Sequence, residues 1–321
     1  MSKSKDQTDW KIIQRIDVGV WKTGYLVTDA LENLRLLVTV DKEQFGARDS
    51  PSFISETLSG INVHKIADLD RIYNDESKLF LARMNALANK QHENLSQVFS
   101  IQSSEKGYPT AVMEYWEGEP VTGKLHHAPL SIYLAHFKQI FEALAFLHEH
   151  GMFVINWDPK FVTTNLIKGA TKITSVWNIH TKDEVMSNKF HFNPLYAAPE
   201  VLLGKPPTEK SDLYSVAVMM LEAWRGGAPI FRETRSGRHM GLVEQGLQRE
   251  EEPKAMFREI SHELAPAELG DDFVLNMLKK NPEERRFGNA FKLINYLVNT
   301  WPETAKPANE LYGGIMTTVR V

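Results

Sequence analysis

The chain has 321 residues, of which 42% are hydrophobic and 24% charged, enough apolar content for a globular protein of two compact parts. A formal net charge of -4 and a pI near 6.3 argue against nucleic acid or an anionic membrane surface as the main partner. There is no cysteine, so disulfides, cysteine nucleophiles and thiolate metal sites are excluded, and the eleven histidines are scattered apart from His126–His127 and His148/His150.

The first residues, MSKSKDQTDW, carry charge with no apolar run behind them, which does not read as a signal peptide. No stretch approaches the roughly 20 apolar residues that span a bilayer, and the expected location is cytoplasmic, with no membrane span. Residues 11–41 alternate apolar and polar positions between turn-like breaks, the period-two signal of an antiparallel sheet. Residues 42–77 are polar and irregular, and within them Ile54, Leu58 and Ile61 are spaced to form one apolar stripe on a short helix. From Ser77 to Gln91 the pattern is that of an amphipathic helix, and strands resume at LSQVFSIQ and TAVMEYW.

After Gly118 the character changes. IYLAHFKQIFEALAFLHEHG reads as a long helix with Ile140, Leu144 and Leu147 on one face and Gly151 closing it. LYSVAVMMLEAW, FVLNMLKK and FKLINYLVNTW continue a helix-rich remainder. A small β-rich part followed by a larger helical part predicts an α+β fold of segregated lobes.

From about Trp10 to Trp301 the sequence resembles the eukaryotic-type Ser/Thr protein kinases, particularly bacterial ones, through the order and spacing of several motifs. FLARMNALANKQHENLSQVF resembles the kinase helix that leads into a His-x-Asn-hydrophobic turn at His92–Leu95. VMEYWEG resembles the following strand and hinge, with Met113 in the gatekeeper place and Glu114, Tyr115 and Trp116 behind it. YAAPEVL holds the triplet Ala198-Pro199-Glu200. KSDLYSVAVMMLEAW carries Asp212 at the place of a buried aspartate, and NPEERR supplies Arg285, which the resemblance pairs with Glu200. The resemblance implies a two-lobed protein-kinase-like fold: an N-terminal extension (1–9), an N-lobe (10–116) with an insertion (42–77), a C-lobe (117–302) and a tail (303–321).

The parts that would transfer phosphate depart from the family. Its phosphate cradle needs glycines so that the main chain can approach the ligand, and here Gly19 and Gly24 stand at the first and third places while Trp21 occupies the second. Asp41 takes the place of the strand lysine, and Arg83 that of the lysine's glutamate partner, which predicts a charge-inverted Asp41–Arg83 bridge. In the catalytic loop two registers stay open. One puts Asn156 at the base position and Phe161 at the metal-binding asparagine. The other makes Asp158 the base, Lys160 the loop lysine and Thr163 the replacement for the asparagine. Ser175-Val176-Trp177 stands for Asp-Phe-Gly, and a serine hydroxyl is a poor Mg²⁺ ligand beside a carboxylate.

Three functions follow from these departures. The leading one is a pseudokinase that binds a protein partner, such as an active kinase or a signalling complex, as scaffold or allosteric regulator. It has no metal site and binds ATP/Mg at most weakly. The second is an atypical active Ser/Thr kinase using Asp158 as base, with Lys22 or Lys42 in place of the missing lysine. The third is a nucleotide sensor without phosphotransfer. Thr181 and Ser187 lie in the segment from Trp177 to Tyr196, but nothing there marks a receiver for a phosphate. The tail ending in GGIMTTVRV reads as a docking strand or a fraying terminus.

Overall fold

A computed structural model describes residues 10–19, 22–43, 66–126, 128–187, 190–227 and 270–313. Trp21, His127, the Ile54/Leu58/Ile61 stripe and all but the first residue of the GGIMTTVRV ending lie outside these residues. The chain divides into two compact units. One contains the chain up to His92 together with Ser96–Trp116 and Ser175–Trp177, and the other holds Glu93–Leu95, Glu117–Thr174 and the chain from Asn178 onward. A β-rich unit and a helical unit make this the α+β, two-lobed kinase-like fold.

The first unit is built on five antiparallel strands: β1 (Lys11–Ile16), β2 (Lys22–Thr28), β3 (Leu34–Val40), β4 (Val98–Ser103) and β5 (Pro109–Glu114), in the order β1-β2-β3-β5-β4. A register shift between Ile12 and Gln14 makes Ile13 the extra residue, and Ile12 and Ile13 of this edge strand are both exposed. The unit's helix, α1, spans Ile66–Ala88. It begins eleven residues before the start read from the sequence, so the irregular stretch expected over 42–77 ends in helix. The charged run IADLDRIYNDES conceals that start, because its apolar residues are too sparse to set a period.

Phe80, Met84 and Leu87 recur at helical spacing on the buried face of α1, and Val38, Val40, Ala111 and Met113 are the fully buried residues of β3 and β5. Two charged residues share that buried face: Glu76 one turn before Phe80, and Arg83 one turn after it. Both are all but inaccessible to solvent.

The second unit contains β6 (Glu119–Pro120), α2 (Val121–Lys124), α3 (Leu130–Glu149), β7 (Met152–Phe153), a hairpin of β8 (Val162–Asn165) and β9 (Ala170–Ile173), and β10 (His180–Thr181), which pairs with β7. The helices α4 (Lys182–Met186), α5 (Pro199–Leu202), α6 (Glu209–Trp224), α7 (Leu275–Met277), α8 (Ala290–Thr300) and α9 (Ala308–Gly313) follow. Residues Ser211–Ala223 of α6 are all buried, which makes α6 the axis of this unit. α3 is long and apolar enough to cross a membrane by length and composition, contrary to the expectation that no stretch is. Most of its apolar side chains are buried within this unit. It ends at His150, and Gly151 follows with φ +67°, the left-handed residue that a helix C-terminus favours.

Candidate functional site

The described start of the glycine turn after β1, Asp17–Gly19, is hydrogen-bonded within itself. Gly19 has φ +94° and donates its N–H to Asp17 at 3.0 Å. Val18 is 2% exposed and packs against Gly24, where an added Cβ would lie 2.5 Å from Val18 Cγ1 and 2.8 Å from the Ile16 carbonyl. Gly24 is therefore needed for the close packing of the turn.

Trp177 is bonded to the start of the turn. Its indole, 1% exposed, donates Nε1–H to the Val18 carbonyl at 3.1 Å. Arg83 Nη1 lies 3.5 Å from the Trp177 carbonyl and 3.5 Å from Glu76 Oε1. The same Glu76 oxygen accepts from Lys22 Nζ at 2.8 Å. Two cations thus converge on one carboxylate in a site shielded from water, and helix, turn and Ser175–Trp177 segment are joined in one circuit. Buried ionic groups are tolerated only when paired and hydrogen-bonded, and removing one partner costs several kcal/mol.

The inverted bridge expected between Asp41 and Arg83 does not form. Asp41 accepts from Thr23 Oγ1 at 3.2 Å and from the Glu43 N–H at 2.9 Å, and so serves the end of β3. Arg83 is taken by Glu76 instead. Sequence reading assigned one glutamate place on the helix and missed Glu76, two turns nearer its start. The signal was the 76-80-83-87 spacing, which sets Glu76 and Arg83 on one face with Phe80 and Leu87. Of the two substitute lysines, Lys22 is drawn into this site, whereas Lys42 pairs with Asp70 at 2.7 Å on half-exposed surface.

Ser175 is 3% exposed, and Met113 is fully buried on β5. Glu114 Oε2 accepts the Gln97 N–H at 3.1 Å, which ties β5 to the start of β4, and Trp116 is half-buried just beyond.

In the second unit Asp212 organises the loop after β7. Its carboxylate accepts from the Val154 N–H (3.1 Å), the Ile155 N–H (2.8 Å) and Trp157 Nε1–H (2.8 Å), with His148 Nε2 at 3.0 Å. Ile155 is held at φ +51°, a conformation that a β-branched residue adopts only when its surroundings impose it. Asn156 follows this strained, clamped pair and is half-buried. Asp158 is occupied differently: its side chain accepts the Lys160 N–H at 3.0 Å as the N-cap of the short helical turn Pro159–Phe161, with Lys160 Nζ 3.5 Å away. The buried Trp157 indole, a further donor to Asp212, had no counterpart in the sequence reading.

Glu200 and Arg285 form a bidentate pair, 2.7 Å on both arms, with Ser211 Oγ also 2.7 Å from Glu200. Burial pushes the Glu200 carboxyl up, but the Arg285 and Ser211 contacts outweigh it and hold the group below its ordinary value. Thr181 is spent on a capping box with Glu184, while Ser187 is exposed. Among the described residues no three His, Asp or Glu side chains cluster as a metal site would require.

A glycine turn over an antiparallel sheet, a helix bearing a buried ion pair, and an aspartate-clamped loop in a helical unit define a protein-kinase-like domain. The family model described as "Protein kinase domain" matches residues 52–292, and the chain belongs to that family, in its eukaryotic-type Ser/Thr branch. The match begins after β3, so the kinase character of the glycine turn rests on the sheet itself. Serine/threonine-protein kinase A of Synechocystis is 26% identical over 220 residues, 64% of this chain and 41% of that protein. Serine/threonine-protein kinase STE20 of Candida glabrata is 26% identical over 215 residues, 65% of this chain and 22% of that protein. Mitogen-activated protein kinase kinase 2 of Arabidopsis thaliana is 29% identical over 133 residues, 39% of this chain and 36% of that protein. The chain spans less than half the length of each of these relatives.

Proposed function

We propose that this protein is a pseudokinase: a cytoplasmic kinase-like domain that acts by binding a protein partner, as scaffold or allosteric regulator, without transferring phosphate. The observation that carries this reading is the buried indole of Trp177 bonded to the Val18 carbonyl at the start of the glycine turn. A phosphate cradle leaves its backbone to a ligand, and here one peptide of the turn is held by an internal side chain through its carbonyl. Ser175 adds to this reading, since a hydroxyl replaces the carboxylate that would chelate Mg²⁺. The Asp212 clamp favours the register with Asn156 at the base position, and a carboxamide accepts no proton usefully.

A second reading is favoured by one observation. Lys22 Nζ meets Glu76 at 2.8 Å, a lysine–glutamate pair of the kind that kinases use, recruited from the glycine turn. On that reading Asp158 would be the base of an atypical Ser/Thr kinase. Thermal unfolding with ATP and Mg²⁺, with ATP and EDTA, and without nucleotide separates the two. The pseudokinase reading expects three coincident curves. A Mg²⁺-dependent rise in melting temperature that Lys22→Met abolishes, with autophosphorylation lost in Asp158→Asn, would establish the atypical kinase.

A further inference from the structure

In the second unit a polar network runs from the C-terminal helix into the β8–β9 hairpin. Tyr312 OH on α9 lies 3.0 Å from His136 Nε2, and His136 is fully buried in the middle of α3. His136 Nδ1 meets Thr171 Oγ1 at 2.8 Å and Thr164 Oγ1 at 3.0 Å, one from each strand of the hairpin. Thr171 Oγ1–H donates to Thr164 Oγ1 at 3.1 Å. The Thr171 backbone extends the chain of bonds. Its N–H donates to Gln139 Oε1 at 2.7 Å, and its carbonyl accepts from Asn94 Nδ2 at 2.9 Å. Asn94 Nδ2 also reaches Gln139 Oε1 at 3.1 Å, and Gln139 Nε2–H donates to the Gly169 carbonyl at 2.9 Å.

The hairpin turn is shaped to receive α9. Gly169 has φ +61°, and a Cβ there would collide with the backbone of Asn309 and lie 2.7 Å from its Cβ. Ala308, next to it, is 1% exposed. Backbone approach at Gly169 and a buried side-chain bond at His136 therefore fix α9 at two points, the hairpin turn and the middle of α3. The hairpin ends matter to the candidate site: β8 follows directly on Phe161, and β9 leads into Thr174 and Ser175. The Thr174 N–H donates to the Phe161 carbonyl at 2.8 Å and closes the hairpin base.

We infer that α9 is a regulatory strap: its docking through Tyr312 and Asn309 sets the β8–β9 hairpin and the Asn94 turn, so displacement of the C-terminal segment resets both. Buried polar networks lend themselves to this use. Fully satisfied they specify one arrangement, and the loss of one member leaves its partners unpaired in a place that water does not reach.

The test uses two single substitutions in the full chain. Tyr312→Phe keeps the ring and removes the bond to His136. Ala308→Asp leaves every network side chain in place and drives α9 off at its other anchor, because it puts a charge where the helix is only 1% exposed. Amide exchange followed by NMR reads each backbone position, and the side-chain amide signals of Asn94 and Gln139 read the far end of the network. Both variants should exchange the Thr164–Thr171 amides about ten-fold faster and shift the Asn94 and Gln139 side-chain signals, with Ser211–Ala223 of α6 unchanged. Two outcomes would overturn the inference. One is hairpin exchange and side-chain signals that stay at wild type in either variant. The other is acceleration that spreads equally through α6, which would make α9 a general stabiliser of the unit.

Discussion

Replacing Trp177 by alanine removes the buried side chain that is bonded to the start of the glycine turn. The indole is 1% exposed, and emptying a site of that kind costs about 3–5 kcal/mol. It also leaves the Val18 carbonyl without its 3.1 Å donor in a buried place, a penalty of about 1–3 kcal/mol that overlaps the first. Trp177→Phe separates the two contributions, because it keeps most of the buried ring and loses only the N–H. Its expected cost is about 1–2 kcal/mol. A domain is stable by only about 5–15 kcal/mol, so the alanine variant should be folded but marginal. Urea denaturation followed by circular dichroism measures both, with an unchanged slope as the sign that compactness is preserved. Free indole should restore part of the stability of Trp177→Ala and none to the wild type, since an apolar cavity takes an apolar guest. A loss below about 1 kcal/mol for alanine, or indole acting equally on both proteins, would refute the packing argued for Trp177.

The buried ionic group predicts an order among substitutions. Lys22→Met leaves Glu76 paired with Arg83, so its cost should be about 1–3 kcal/mol, whereas Glu76→Gln strands two cations and should cost about 3–5 kcal/mol. Equal urea midpoints for the two would contradict the shared carboxylate. His136 supplies a pH signature: burial pushes its imidazole down to about 4 from 6.5. Between those values the unfolded chain binds the proton and the folded one does not. The stability linked to this group is therefore complete above pH 6.5 and lost as pH falls toward 4, by about 3 kcal/mol in all. His136→Gln should remove that part of the slope in urea titrations from pH 7 to pH 4, and an unchanged slope would reject it. Glu200 acts in a lower window. Its carboxyl is held below the usual value, so its contribution is present above about pH 4.5 and fades as pH falls further. Arg285→Met should abolish that dependence while lowering stability at neutral pH by about 3–5 kcal/mol.

Much of the fold was legible because the long helices that carry it have clear patterns. α3 repeats its apolar residues at helical spacing and α6 is apolar from Leu213 on but for Ser215 and Glu222, whereas the strands read as alternating are nearly all exposed in β1 and mostly buried in β2 and β3. The start of α1 was hidden because its first turns are charged, and charge along a helix surface gives no period to read. The candidate site was legible as a set of substitutions but not as an arrangement. Asp41 and Arg83 stand at the places of a known pair, yet the fold joins Arg83 to Glu76, because Lys22 and the Trp177 carbonyl lie on the same side of α1. The Trp177–Val18 bond links residues 159 apart in sequence, and no local pattern encodes such a contact. Asp158 stood as the base in one of the two registers of the catalytic loop. Its use as an N-cap follows from Pro159 and the short turn behind it.

Isothermal calorimetry of ATP into the wild-type chain, with Mg²⁺ and with EDTA, tests the proposal that the glycine turn does not take up nucleotide. The indole bonded to Val18 and the serine at position 175 predict no saturable heat up to millimolar ATP in either buffer. Saturable, Mg²⁺-dependent binding in the micromolar range would contradict it.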